Sequence, residues 1–270
     1  MATIDFIMAH FGGFKHSVEP ALSTFLRYFP DCRVVLYTDD KRFGYPDRIN
    51  EIIEVTPPYP REHRRYGWRS SDLYRAVGLL ESRADVAIYS DADMYYYSEQ
   101  IRVLPILAQK FGFCIPANPR LLQKTDAEIG TDSDKVLDES EGLGFAYNTT
   151  PLAFSTASQP AREFLLAYES IMRENPLRNP VVMHRAAMKT GFSPYVLPFH
   201  WSLCEQHIGL GNEIVLHLTK RVQDYYLSDA PLWQRKLRHK ASLARDWLRQ
   251  KRRAVKQYLL NRIRHPARKA

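Results

Sequence analysis

Three cysteines in 270 residues is few, and Cys32, Cys114 and Cys204 lie too far apart for a disulfide framework or a cysteine metal site. Buried thiols in a reducing compartment account for them. Long hydrophobic runs are also missing, and no window approaches the length of a membrane-spanning helix. Met1 to Met8 pass directly into a strand pattern without a basic segment or a long apolar stretch, so no secretory signal is expected. Acid is nearly absent from one end. Residues 231–270 hold 14 Lys and Arg against a single acid, Asp246, a balance of +13. The whole chain carries +8, which leaves −5 on residues 1–230. A mildly acidic body with a strongly basic appendage points to two jobs in one chain, divided at residue 230.

What remains can build one substantial core, because 45% of the residues are hydrophobic and 12% aromatic. Ile4 to Ala9 reads as a first strand, followed by a turn at Gly12-Gly13. Val18 to Phe29 sets Val18, Leu22, Phe25, Leu26 and Phe29 on one helical face, and Pro30-Asp31 ends it. Arg33 to Thr38 is a strand running into Asp39-Asp40, and Asn50 to Thr56 is a third strand. Ser70-Ser71-Asp72 is expected to cap a helix reaching about Glu81, and Val86 to Tyr89 follows as a buried strand. This β-α-β-β-α-β rhythm implies an α/β fold: an open, mostly parallel sheet with helices on both faces. Further on, Ile101 to Lys110 and Ala161 to Arg173 read as helices. Phe111 to Ile115, Tyr195 to Pro198 and Ile214 to Leu218 read as strands, and Phe145 to Phe154 resumes the sheet. The acid-rich span Gln123 to Gly142 is too long for an ordinary connection.

Val86-Ala-Ile-Tyr-Ser-Asp-Ala-Asp-Met94 is the stretch with the most chemistry in it. A buried strand ends in two aspartates one residue apart, at the sheet edge where ligands of open α/β folds collect. Extended backbone would put Asp91 and Asp93 on the same side. Two carboxylates there suit a hard divalent cation that grips a phosphate. A strand followed by an acidic turn has the same local sequence, so the surroundings decide.

Those surroundings resemble the GT-A nucleotide-sugar glycosyltransferases over residues 1–225, and within them the glycogenin-like and lipooligosaccharide galactosyltransferase group. The resemblance rests on Ser71-Asp-Leu-Tyr-Arg75, Ile88-Tyr-Ser-Asp-Ala-Asp-Met94, Phe145-Ala-Tyr-Asn-Thr149 and Val215-Leu-His-Leu218. It implies a GT-A-like sheet and a metal site of Asp91, Asp93 and His217 holding Mn²⁺ or Mg²⁺ on the diphosphate, with Asp93 favoured as direct ligand. Asp72 would read sugar hydroxyls, Arg75 and Lys220 would answer the phosphates, and Asn148 would orient the transferred sugar. The family's glycine between the late histidine and lysine is missing here. His10 and Asp39, at the ends of the first two strands, sit by topology where base and ribose would lie. For the catalytic carboxylate, Asp138, Glu139, Glu141 and Glu205 are the candidates, and the sequence does not choose among them.

From Trp233 to Ile263 apolar residues cluster on one side of a helical projection, with arginines and lysines opposite or flanking. Basic amphipathic helices of this kind lie on anionic membranes. Packing on the globule and RNA binding are the competing readings, and the tail offers no separate stacking platform for bases. Together these features imply a cytoplasmic enzyme, peripheral at the inner face of a membrane. It would move sugar from a nucleotide-sugar, with a UDP-sugar the expected donor, to a lipid-linked or cell-surface glycan acceptor, as in polysaccharide biosynthesis. A nucleotidyltransferase on a related fold and a non-catalytic membrane or nucleic-acid adaptor are the alternatives.

Overall fold

The computed structural model describes residues 2–12, 17–121, 145–174 and 179–264. The chain divides into two compact units, Met1–Leu218 and Thr219–Ala270.

The first unit is a mixed α/β fold. Strand β1 (Ile4–His10) is flanked by β2 (Arg33–Thr38) and β4 (Val86–Ser90), both parallel to it, and β3 (Glu51–Glu54) extends the parallel part beyond β2. Past β4 the sheet turns antiparallel through β8 (Leu152–Ser155), β6 (Phe113–Leu121) and β7 (Phe145–Tyr147), while β9 (Tyr195–Leu197) runs parallel to β6. Strands β5 (Met94–Tyr96) and β10 (Val215–His217) pair separately as an antiparallel ribbon. Strands covered on both faces need apolar residues at every position, which is why β1, β2 and β4 read as near-continuous hydrophobic runs. Their alternation splits the core in two. Phe6, Met8, Val34, Leu36, Val86 and Ile88 join one cluster, with Leu22 and Phe25 of helix α1 (Glu19–Leu26) and Leu104 and Ala108 of α3 (Leu104–Phe111). Ile7, Ala9, Val35, Tyr37, Ala87 and Tyr89 join the other, with Leu73 and Val77 of α2 (Tyr66–Glu81) and Phe164 and Leu165 of α4 (Gln159–Glu174).

Helix α2 begins at Tyr66, so Ser70-Ser71-Asp72 lies inside it and does not cap it. The Ser70 hydroxyl is spent on the Tyr66 carbonyl at 2.7 Å, one turn back along the helix. The span from Phe145 to Phe154, expected to resume the sheet, does so as two strands, β7 and β8, separated around a cis Thr150-Pro151 bond. Sequence periodicity also misses α5 (Asn179–Thr190), which buries Val181, Val182, Met183 and Ala186. Pro180 in its first turn was the available signal.

In the second unit Thr219 caps α6 (Lys220–Tyr226), its hydroxyl accepting from the Val222 N–H at 3.4 Å. A single helix of 33 residues follows, α7 (Leu232–Arg264). The division at Leu218 therefore precedes the composition change at residue 230, because α6 belongs with α7. Among the described residues no helix is long and apolar enough to cross a membrane.

Candidate functional site

Strand β4 stops at Ser90, and residues 91–93 turn directly into β5. The extended strand therefore ends before both Asp91 and Asp93, and the two carboxylates take different partners. The Asp91 N–H donates to the Thr150 hydroxyl at 3.0 Å. Its Oδ1 accepts from the Tyr89 hydroxyl at 2.7 Å and from Arg75 Nη2 at 3.1 Å. The same Nη2 lies 3.2 Å from Asp72 Oδ1, so the helical spacing does place Asp72 and Arg75 together. The Arg75 guanidinium is only 3% exposed and lies over the Tyr89 ring, 4.6 Å from its centroid. Burial works against its charge, but Asp91, Tyr89 and Asp72 outweigh that and hold its pKa above the usual arginine value. Arg75 thus ties α2 to the end of β4. Its Nε and Nη1 are buried with no hydrogen-bond partner among the described residues.

Asp93 is met from β10. Pairing of β10 with β5 sets His217 opposite Met94, and the Leu218 N–H donates to the Asp93 carbonyl at 2.7 Å. His217 Nε2 then meets Asp93 Oδ2 at 2.7 Å. Burial lowers the imidazole pKa, yet hydrogen bonds to Asp93 and Cys204 and their charges raise it well above its ordinary value. Cys204 in turn lies 3.5 Å from the Asn148 amide nitrogen, which also donates to the Ser202 hydroxyl at 2.8 Å. Asp93, His217, Cys204, Asn148 and Ser202 are therefore linked in one polar run. Glu205 directly follows Cys204 and opens a short 3₁₀ turn, Glu205–His207.

Two carboxylates and an imidazole are donors of the right chemistry for Mn²⁺ or Mg²⁺. Asp93 and His217 already touch, and both Asp91 side-chain contacts fall on Oδ1. Even so, among the described residues no group of three or more His, Cys, Asp or Glu side chains is gathered for a metal.

Beside these groups, at the carboxyl ends of β1 and β2, a pocket of about 220 Å³ opens. His10, Thr38, Asp39, Phe43, Tyr45 and Arg61 are among its walls. The buried His10 ring packs on Phe43 at 4.6 Å, and its Nδ1 is 2.9 Å from the Tyr45 hydroxyl, which also meets the Thr38 hydroxyl at 2.8 Å. Asp39 Oδ1 accepts from the Gly12 N–H at 3.1 Å, and Arg61 lies 3.8 Å from Asp39 Oδ2. Gly12 has a φ of +67°, a conformation that favours glycine and brings that N–H to the carboxylate. Topology alone pointed to His10 and Asp39. Phe43, Tyr45 and Arg61 gave no sequence signal, since they come from a 3₁₀ turn and a loop brought in by the fold.

Asp138, Glu139 and Glu141 lie outside the described residues. Lys220 is the first residue of α6, in the second unit. Cys204 and Tyr89 are the contacts that sequence reasoning passed over, because each earns its place through a partner distant in the chain or on the neighbouring helix. In comparison with known proteins, the chain matches no protein-family profile and no curated protein sequence.

Proposed function

We propose that the first unit is a GT-A-like glycosyltransferase. It would move a sugar from a nucleotide-sugar, with UDP-sugars the first to try, to a hydroxyl of a lipid-linked or cell-surface glycan. One observation carries the reading. An aromatic and acidic pocket at the ends of β1 and β2 adjoins, on the next strand, the end of β4 with its Asp91 and Asp93. A planar base suits the rings of His10, Phe43 and Tyr45, and Asp39 is an acceptor for ribose hydroxyls. The diphosphate then points toward β4. Asp91 Oδ2, Asp93 and His217 are the residues that would hold Mn²⁺ or Mg²⁺. When bound, such a cation neutralises the charge gathering on the diphosphate as the sugar–oxygen bond breaks. Arg75 fixes Asp91 and Asp72 in place from behind, and Asn148 orients the sugar from the β7 side. The acceptor oxygen forms the new bond at the anomeric carbon, and its proton passes to a carboxylate, for which Glu205, Asp138, Glu139 and Glu141 are candidates. The three free thiols suit work in the cytoplasm.

The test is a melting-temperature and turnover screen of sugar nucleotides with and without Mn²⁺, in wild type and Asp93→Ala. A nucleotide present at about a hundred times its Kd stabilises by roughly 2.7 kcal/mol. The expected result is a Mn²⁺-dependent shift and sugar release in wild type that Asp93→Ala loses. Behaviour that is equal in both proteins and independent of metal overturns the assignment. Turnover of a nucleoside triphosphate with release of diphosphate would move it to the nucleotidyltransferases.

A further inference from the structure

Helix α7 is amphipathic in an unusual sense, because its polar side is the one with partners inside its own unit. Arg235 donates to the Tyr225 carbonyl at 2.7 Å, the His239 ring meets Tyr225 edge-on at 5.6 Å, and Asp246 pairs with Arg221. At 3.6 residues per turn, positions 235, 239 and 246 fall within about 40° of one another. The apolar stripe lies on the opposite side, and it is in solvent. Trp233 is 68% exposed, Leu237 60%, Trp247 58%, Leu248 49% and Val255 57%. From Trp233 to Val255 the stripe runs about 33 Å at the helical rise. An apolar stripe on a helix normally faces a core, so this one calls for an occupant.

The charges around the stripe select that occupant. Arg238, Arg245, Arg249 and Arg252 line one flank, while Lys240 and Lys251 lie within the stripe, Lys251 Nζ standing 5.7 Å from the Trp247 ring centroid. Asp246, the one acid of the tail, is already held by Arg221. A second copy of the chain would set one basic flank against another, and like charges repel. A nucleic acid matches the cations but has no apolar phase for Leu237, Leu248 and Val255. An anionic lipid surface supplies phosphate at the level of the arginines and hydrocarbon beneath it.

We propose that α7 docks flat on an anionic membrane surface, with its Trp233–Val255 stripe in the headgroup–acyl boundary and its arginine flank on lipid phosphates. Long basic stems such as those of Lys240 and Lys251 can reach sideways to the same phosphates. The proposal rests on the second unit alone and is independent of the chemistry assigned to the first.

The full chain is to be sedimented with phosphatidylcholine vesicles, with and without phosphatidylglycerol. Two variants are compared with wild type, Trp247→Ser with Leu248→Ser in the stripe and Arg245→Gln with Arg249→Gln and Arg252→Gln in the flank. All five side chains are exposed, and circular dichroism checks that the helix survives. The expected result is binding that requires phosphatidylglycerol, weakens by about tenfold or more in either variant, and is largely lost at about 0.5 M salt. A second readout needs no variant, because brominated lipid should quench wild-type tryptophan emission in anionic vesicles. Absence of both binding and quenching at low salt overturns the proposal. So does unchanged binding by the stripe variant, or single-stranded RNA binding tighter than vesicle binding that the stripe variant keeps. A stripe-dependent dimer without vesicle binding would assign the surface to a second copy and also overturn it.

Discussion

Arg75 and Asp91 are joined across the gap between α2 and the end of β4 by an ion pair of 3.1 Å, in which the arginine is almost wholly out of water. The guanidinium has Asp72 on its own helix as a second carboxylate and the Tyr89 ring beneath it. The arrangement leaves Arg75 holding the site together from behind, with almost no surface of its own to offer a ligand.

Replacing Arg75 with alanine should therefore act first on stability. Removing one partner of a buried ion pair costs about 3–5 kcal/mol. Asp91 and Asp72 keep 27% and 21% of their side-chain surface in water, which places the loss toward the lower end, about 3 kcal/mol. Arg75→Lys restores the charge but not the planar contact with Tyr89 or the reach to two carboxylates, so it should recover only part. Urea denaturation measures both, and a loss below about 1 kcal/mol for Arg75→Ala would remove the linchpin role.

Gly78 sets how closely α2 approaches the sheet. A Cβ there would lie 2.5 Å from Ile7 Cγ2 and 2.9 Å from Tyr37 Cε2. Ile7 is β-branched and fully packed in β1, so it has little room to yield. Overpacking costs about 1–3 kcal/mol, against a helix-propensity gain of about 1 kcal/mol for alanine. The clash should win, and Gly78→Ala should lower the unfolding midpoint. Gly78→Val should lower it further. A more stable Gly78→Ala protein would show that α2 can stand off from the sheet.

Two thiols should shape the alkaline limit of stability. Burial pushes the Cys114 thiol from an ordinary value near 9 up to about 12. Cys32 is likewise pushed up to about 12, by burial first and then by the charges of Asp5 and Asp31 against a backbone hydrogen bond. A raised folded pKa means the unfolded chain gives up its proton first as pH rises. The contribution is then whole below about pH 9 and is lost between about 9 and 12, with a limiting slope of about 1.4 kcal/mol per pH unit for each thiol. Cys114→Ala should show a shallower fall than wild type when denaturation free energies at pH 8 and pH 11 are compared. Equal falls would contradict the assignment. In the native protein at pH 8, Cys114 should not react with a thiol reagent until the chain unfolds.

Much of the sheet was legible because its signal is local. The apolar runs of β1, β2 and β4 and the helical period of α4 follow from burial on two faces or one, and periodicity records burial directly. The basic balance of the tail is likewise a property of composition, visible without any fold. Helix ends were less legible. Ser70, expected to help cap α2, bonds back into the helix instead, and α5 was signalled only by a proline in its first turn.

The sequence by itself determined that two aspartates follow a buried strand, that Asp72 and Arg75 share a helical face, and that a basic amphipathic segment follows an acidic body. The tertiary structure alone decided what those groups touch. Asp91 goes to Arg75 and Tyr89 where the chain turns at residues 91–93. Asp93 finds His217, 124 positions away, only because β10 pairs with β5. Phe43, Tyr45 and Arg61 become a pocket only where a 3₁₀ turn and a loop fold over the ends of β1 and β2. Local periodicity encodes which side of an element is dry. It carries no record of which distant side chain will meet it there, because that contact is set by the packing of whole elements against one another.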